Sequence, residues 1–424
     1  MNIAVIGGGI AGLAAAWLLS RQHTVTLFER HAQPGFVASS VTVDGVRVDV
    51  PLRVFYPGYY PTLTRLYAEL GVATEAVSYA TTFTGGDGRA FFRWRNLRLG
   101  GLSLPYVLPH DVASPRARRI VHGALRFHHQ ARGALARGEL AGRSIGDYLD
   151  AERLPAEYID GLLLPALATI ATCTTDDARA YPADVVARYV AGGLSRQSVR
   201  RAVHGADDAA ARLVAGISRV VCDAGVTGVV GLSAADAQGH GVAVLRNGST
   251  SEHFDHVVLA TQANQALALW HDVPAADAQA LGGFRYRPLD VVMHRDNRLM
   301  PHRHADWSPV NARVCSEHDR PESTIWVNAV QPALRRARPL FQTVQPQRQP
   351  REELVLGRAQ FERPLVDAGS QRALAALQHL QAQPGRRVWL CGSYAQSGVP
   401  LLESAVRSAY EVADRLSASL SGVQ

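Results

Sequence analysis

Six residues near the start of the chain, Gly7-Gly8-Gly9-Ile10-Ala11-Gly12, have the types and spacing to hold a pyrophosphate. They follow an apolar run, Asn2–Ile6, and lead into a helical stretch over residues 13–21. A second apolar run, Thr24–Phe28, then ends in Glu29. Strand, glycine turn, helix and second strand form the setting in which G-x-G-x-x-G binds a dinucleotide. Gly7 permits the tight turn, and Gly9 lets the pyrophosphate reach the helix N-terminus beside Ile10 and Ala11. Gly12 lets helix pack on strand. Glu29 follows Gly12 by 17 residues, at the end of the second strand, where its carboxylate can accept the hydroxyls of an adenosine ribose.

Other chemistries are excluded by composition. All 44 basic side chains among the 424 residues are arginine, which removes Schiff-base lysines and phosphate-loop lysines. Cys173, Cys222, Cys315 and Cys391 are far apart and form no C-x-x-C pair. That spacing fits a reducing cytosol and offers neither a disulfide framework nor a cysteine zinc site. The histidine pairs His128/His129, His253/His256 and His302/His304 lack acidic or cysteine ligands at metal-site spacing, so no metal is expected. The formal charge is +7, but the arginines are scattered singly and in short clusters, as at 116–119 and 335–338. This reads as a solvated basic surface, with no nucleic-acid partner.

The elements that must position the glycine turn come next. The first residues already read as a strand, so no leader is expected. The longest apolar stretches, 10–19 and 162–171, fall short of the roughly 20 residues of a membrane span. After Glu29 comes a loop with Pro34-Gly35 and a hairpin over residues 41–49. A nicotinamide domain would continue with βα units here; a break into loop and hairpin is the flavin pattern. Further on, 200–215 reads as a helix, and 220–221, 226–232, 242–245 and 254–261 as strands. Residues 81–200 read as mostly helical, with helices at 115–135, 144–149, 155–170 and 183–190. Residues 271–384 read as strands at 290–294, 324–329 and 340–344, with a helix at 370–380. The predicted fold class is α/β: a discontinuous Rossmann-type domain (1–80, 201–270 and 385–424) with an inserted α+β substrate domain (81–200 and 271–384). The 115–135 helix carries Arg116, Arg118, Arg119, Arg126 and Arg132. Its expected role is an inward apolar stripe with a solvated basic face. Resting on the inner face of an anionic membrane is the second reading.

Beyond these patterns, the sequence resembles the amine oxidase and phytoene desaturase superfamily of FAD-dependent oxidoreductases. Within it, the chain is most similar to bacterial predicted NAD/FAD-binding proteins associated with fatty-acid modification. Residues 60–63 (YPTL) with 69–72 (ELGV), 163–165 (LLP) with 181–183 (YPA), 292–296 (VMHRD), 299–301 (LMP) and 326–328 (WVN) with Gln331 carry the likeness. So do 388–394 (VWLCGSY) and 405–408 (AVRS). The resemblance implies FAD as cofactor, held by the glycine turn, Glu29, Arg30, Val37, Leu52, Arg53, Val229, Ala260, Gly392, Ser393, Leu401, Leu402 and Ala405. Departures surround the same group. Gly35-Phe36-Val37 stands for the usual GGR, Asp49-Val50-Pro51 for D-x-G, and Ser393 for an acid after the last glycine.

The resemblance also orients the chemistry. Arg53, Tyr56 and Leu401 are the substrate-side candidates. The family's amine oxidases place a cage tyrosine where this chain has Leu401, and a lysine beside the flavin that cannot exist here. Both absences point to a hydrophobic C–H donor such as an acyl chain, an isoprenoid or a natural-product intermediate. With a single G-x-G-x-x-G, an external electron acceptor is implied: oxygen, a quinone or a partner protein. Three alternatives stay open: a double-bond isomerase, an amine or amino-acid oxidase, and a flavin-binding protein without catalysis.

Overall fold

The computed structural model describes residues 1–35, 40–99, 102–191, 198–232, 241–247, 250–315 and 320–421. Asn2–Ile6 and Thr24–Phe28 pair in parallel, from Asn2↔Thr24 to Ile6↔Phe28. The helix between them, Ile10–Leu19, is apolar nearly all round, which suits a helix covered on every side. Helices Ala206–Val214 and Leu402–Ser421 pack on it. A Cβ on Gly12 would stand 1.9 Å from the Gly7 carbonyl oxygen, so turn and helix meet backbone to backbone. The completed parallel sheet runs Arg219–Val221, Thr24–Phe28, Asn2–Ile6, His256–Leu259, Val388–Leu390. Its strands come from three distant stretches of the chain.

A second sheet has seven strands in the order Val355–Pro364, Tyr286–His294, Phe341–Val344, Glu322–Trp326, Val310–Arg313, Thr81–Thr84, Ala90–Arg93. All its pairings are antiparallel except that of Val310–Arg313 with Thr81–Thr84. The predicted hairpin forms as Ser40–Val43 and Val46–Asp49, turning at Asp44 and Gly45, both with positive φ.

Several expectations change. Thr81–Thr84, Ala90–Arg93, Arg95–Leu99 and Leu102–Tyr106 are strands, in keeping with the β-branched and aromatic run Thr81-Thr82-Phe83-Thr84, and helices take over from Pro109. The helix expected over 200–215 starts only at Ala206, after Gly205 at φ 78°. Before it, Val199–Ala202 pairs with Thr74–Val77, and Arg201 forms an ion pair with Glu75. The helix expected over 155–170 is interrupted by a π turn at Ile159–Leu163 and ends at Thr172 in the left-handed region. The basic helix, Pro115–Ala136, buries Ala117, Ile120, Phe127, Ala131 and Ala134. Several of its arginines are occupied by the protein itself. Arg116 lies over the Phe91 ring, Arg119 pairs with Glu157, and Arg126 donates to the Glu152 carbonyl. Among the described residues no helix is long and apolar enough to cross a membrane.

His294 ends the Tyr286–His294 strand, next to the edge of the second sheet, and is fully buried. Its Nδ1 accepts the Asp296 amide at 3.1 Å and its Nε2 lies 2.7 Å from Thr343 Oγ1, a network that requires the neutral ring. Burial pushes its pKa down to about 4, from 6.5. In the unfolded chain the ring takes up a proton at the higher pH, so this stabilisation is complete above 6.5 and lost as pH falls towards 4. The loss amounts to roughly 3 kcal/mol. Thermal midpoints measured across that range are expected to fall steeply between pH 6.5 and 4, with a ring NMR titration showing no transition above pH 5.

Candidate active site

The glycine turn and the acid at the end of the second strand come together as the spacing predicts. Gly7, at φ 106°, lies against Ala260, and a Cβ there would stand 2.8 Å from the Ala260 carbonyl oxygen. The Ala260 amide in turn donates to Ile6, which places that residue at the end of the neighbouring strand. Glu29 is buried, accepting the Gly8 amide at 2.6 Å through one carboxylate oxygen and the His31 amide at 2.9 Å through the other. Facing Gly9 is open space, since a Cβ there would meet nothing within 4 Å.

The segment after the hairpin is held against the second sheet by Gln342. This fully buried side chain accepts the Leu52 amide at 2.8 Å and donates to the Asp49 carbonyl at 3.1 Å. The Asp49 carboxylate accepts the Ala206 amide at the start of the Ala206–Val214 helix, and burial raises its pKa. Pro51 follows a cis peptide bond.

The closing helix is fixed at its start by three side chains. Glu403 accepts the Thr62 and Leu63 amides at the head of the Pro61–Glu69 helix. Ser404 donates to the Val399 carbonyl, and Ser408 accepts the Gly392 amide at 2.9 Å while donating to the Ala405 carbonyl. Tyr59 accepts the Val399 amide.

These elements enclose a cavity of about 310 Å³. On one side lie Ile10, Leu52, Arg53, Ser393, Leu401, Leu402 and Ala405, a set the sequence reading had already assembled. Opposite is the second sheet, where register sets Val310, Ile325 and Gln342 in one row and Ser323 beside Val344 in the next. Tyr60, Tyr79 and Tyr189, the helix end at Thr169, Ile170 and Thr172, and Arg363 also line it, with Pro51, Val54 and Pro400. Among the described residues no aspartate, glutamate, histidine or cysteine lines it. Burial pushes the Tyr79 phenol up to about 12, and those of Tyr60 and Tyr189 upward as well. Arg53 is pushed down to about 10, first by burial and next by Arg363, with Asp49 acting in the opposite sense.

Other expected residues lie elsewhere. Tyr56 does not line the cavity. Its ring packs among Tyr59, Tyr60 and Tyr189, and its hydroxyl donates to the Tyr189 carbonyl at 3.0 Å. Its neighbour Tyr60 faces the cavity instead. Val229 is fully buried in the three-stranded sheet, its carbonyl accepting the His271 amide, and is not in the lining. Arg30 is exposed, with its Nε against His31. Val37 lies outside the described residues.

The sequence reading also missed Arg363 and Gln342. Arg363 carried a usable signal, because Val355, Gly357, Ala359, Phe361 and Arg363 alternate with exposed residues along one strand. An arginine on the inward side of such a strand must face either a partner or a cavity. Replacing Gln342 with leucine leaves the Leu52 amide and the Asp49 carbonyl without their partner. The Gln342→Leu protein is expected to lose about 2–6 kcal/mol, at roughly 1–3 for each orphaned group, as measured by chemical denaturation.

A family model for an NAD(P)-binding Rossmann-like domain matches residues 5–70. No curated protein sequence matches the chain. Among solved structures, the chain is similar to putrescine oxidase bound to putrescine, with 14% identity, 99% of both chains covered and a TM-score of 0.68. It is also similar to cyclohexylamine oxidase from Brevibacterium oxydans IH-35A, at 14% identity, 99% of both chains and a TM-score of 0.66. A CLA-producing fatty acid isomerase from P. acnes gives 14% identity over 97% of this chain and 98% of that one, with a TM-score of 0.66. At such identities the likeness is one of architecture. From end to end, the chain has an amine-oxidase-like α/β fold with a Rossmann-type dinucleotide domain.

Proposed function

We propose that this chain is an FAD-dependent oxidoreductase that removes hydride from a C–H bond of a hydrophobic substrate, as a desaturase or oxidase of an acyl chain, an isoprenoid or a related skeleton. The residues present fit that cofactor. The open space at Gly9 admits a pyrophosphate, and each Glu29 oxygen, having accepted one amide, keeps acceptor capacity for a ribose hydroxyl. Ile10, Leu52, Ser393, Leu401, Leu402 and Ala405 would hold the ring end. When bound, FAD supplies the hydride acceptor.

The observation that carries this reading is the lining of the cavity. It combines apolar walls with two guanidinium groups and, among the described residues, contains no carboxylate. A cationic amine such as putrescine would enter against Arg53 and Arg363, with no acid in the lining to receive it. Among the described residues no lining group takes up a proton near neutral pH, because the phenols are raised and the guanidiniums stay charged. The described lining residues therefore bind, orient and desolvate the substrate, which suits removal of hydride from an apolar C–H bond; the proton lost alongside it would pass to solvent or to the bound FAD.

Purified protein is expected to show a flavin absorbance band near about 450 nm that bleaches anaerobically with a lipid extract and not with simple amines. Bleaching by amines alone would overturn the reading. Product formed without any electron acceptor would replace it with a double-bond isomerase.

A further inference from the structure

The charges around the cavity leave one cation over. Arg53 has Asp49 as its acidic neighbour. Among the described residues Arg363 has no such partner: its Nη1 donates to the Pro400 carbonyl at 3.1 Å, and burial disfavours its charge. Among the described residues no carboxylate forms an ion pair with it. The side chain is half-buried, and its open side is the cavity. Desolvating a guanidinium without a counter-ion is costly, and its five N–H donors form a planar fork suited to a carboxylate.

We propose that Arg363 is the anchor for a carboxylate on the substrate, which makes the substrate a hydrophobic carboxylic acid. The acid group would sit beside Pro400 at the head of the closing helix, with the apolar body along Ile170, Val310, Ile325 and Val344. A monoanion is the complement, because Arg53 already shares its charge with Asp49 and Arg363 alone is left to be neutralised. The redox outcome rests on the flavoenzyme reading above, whereas the carboxylate contact itself does not.

The test is isothermal titration of the purified full-length protein with decanoate and, separately, with decan-1-ol; flavin content is read from absorbance on the same sample. Wild type is expected to bind decanoate at least about tenfold more tightly than decanol. Arg363→Gln should weaken decanoate binding by about 30-fold and leave decanol binding within about twofold. Arg363→Lys keeps the charge and should recover most of the lost affinity. It also serves as the informative variant if Arg363→Gln does not fold. Equal affinity of wild type for the two ligands would overturn the proposal, as would equal losses for both on substitution. So would a change in flavin content with decanoate affinity unchanged, since Arg363 would then position the cofactor. Flavin-free protein that still selects decanoate through Arg363 would refute the redox reading and keep this one. Flavin-loaded protein indifferent to the carboxylate would refute this one alone.

Discussion

One buried amide holds the cavity in shape. Gln342 lies on the second sheet and bonds both the Asp49 carbonyl and the Leu52 amide, on the segment leaving the hairpin of the nucleotide side. A glutamine can satisfy both because its side chain carries a donor and an acceptor a fixed distance apart. Leu52 and Arg53 are thereby presented to the cavity, and the row Val310, Ile325 and Gln342 faces them from the other sheet. Opposite, Glu403 and Ser408 do comparable work, fixing the start of the closing helix through amides of Thr62, Leu63 and Gly392. Buried polar groups whose partners are all present give the site a single geometry; half-satisfied, they would cost more than an apolar replacement.

The same arrangement ties packing to function. Burial raises the tyrosine phenols and lowers the Arg53 guanidinium, so the walls offer hydrogen bonds and positive charge but no proton acceptor at neutral pH. Chemistry that needs a general base is disfavoured in such a place, and chemistry that needs a dry, well-aligned C–H bond is favoured. The absence of lysine and the presence of Leu401 sit beside a cavity whose described lining holds no acid.

Local signals were strong where the chain folds on itself at short range. The glycine turn, its flanking strands, Glu29 and the Asp44-Gly45 hairpin are each specified within about ten to twenty residues by sterics and alternation. Signals weakened where partners are distant. Tyr56 and Tyr60 sit in one tyrosine-rich segment, and sequence alone offers no way to see that Tyr60 meets the cavity while Tyr56 points into the ring cluster around Tyr189. Thr81–Thr84 becomes a strand through pairing with Val310–Arg313, more than 200 residues away. The helix expected at 200–215 lost its first residues to pairing with Thr74–Val77.

By itself, then, the sequence determined that a dinucleotide turn opens the chain, that no lysine takes part, and that Leu52, Arg53, Ser393, Leu401, Leu402 and Ala405 belong near one another. These follow from steric rules for glycine, from composition, and from a likeness that spans most of the chain. Only the tertiary structure decided what faces those residues. Arg363, Tyr60, Tyr79 and Gln342 reach the cavity because strand register and sheet order carry them there, and those are set by long-range pairing that no local pattern encodes.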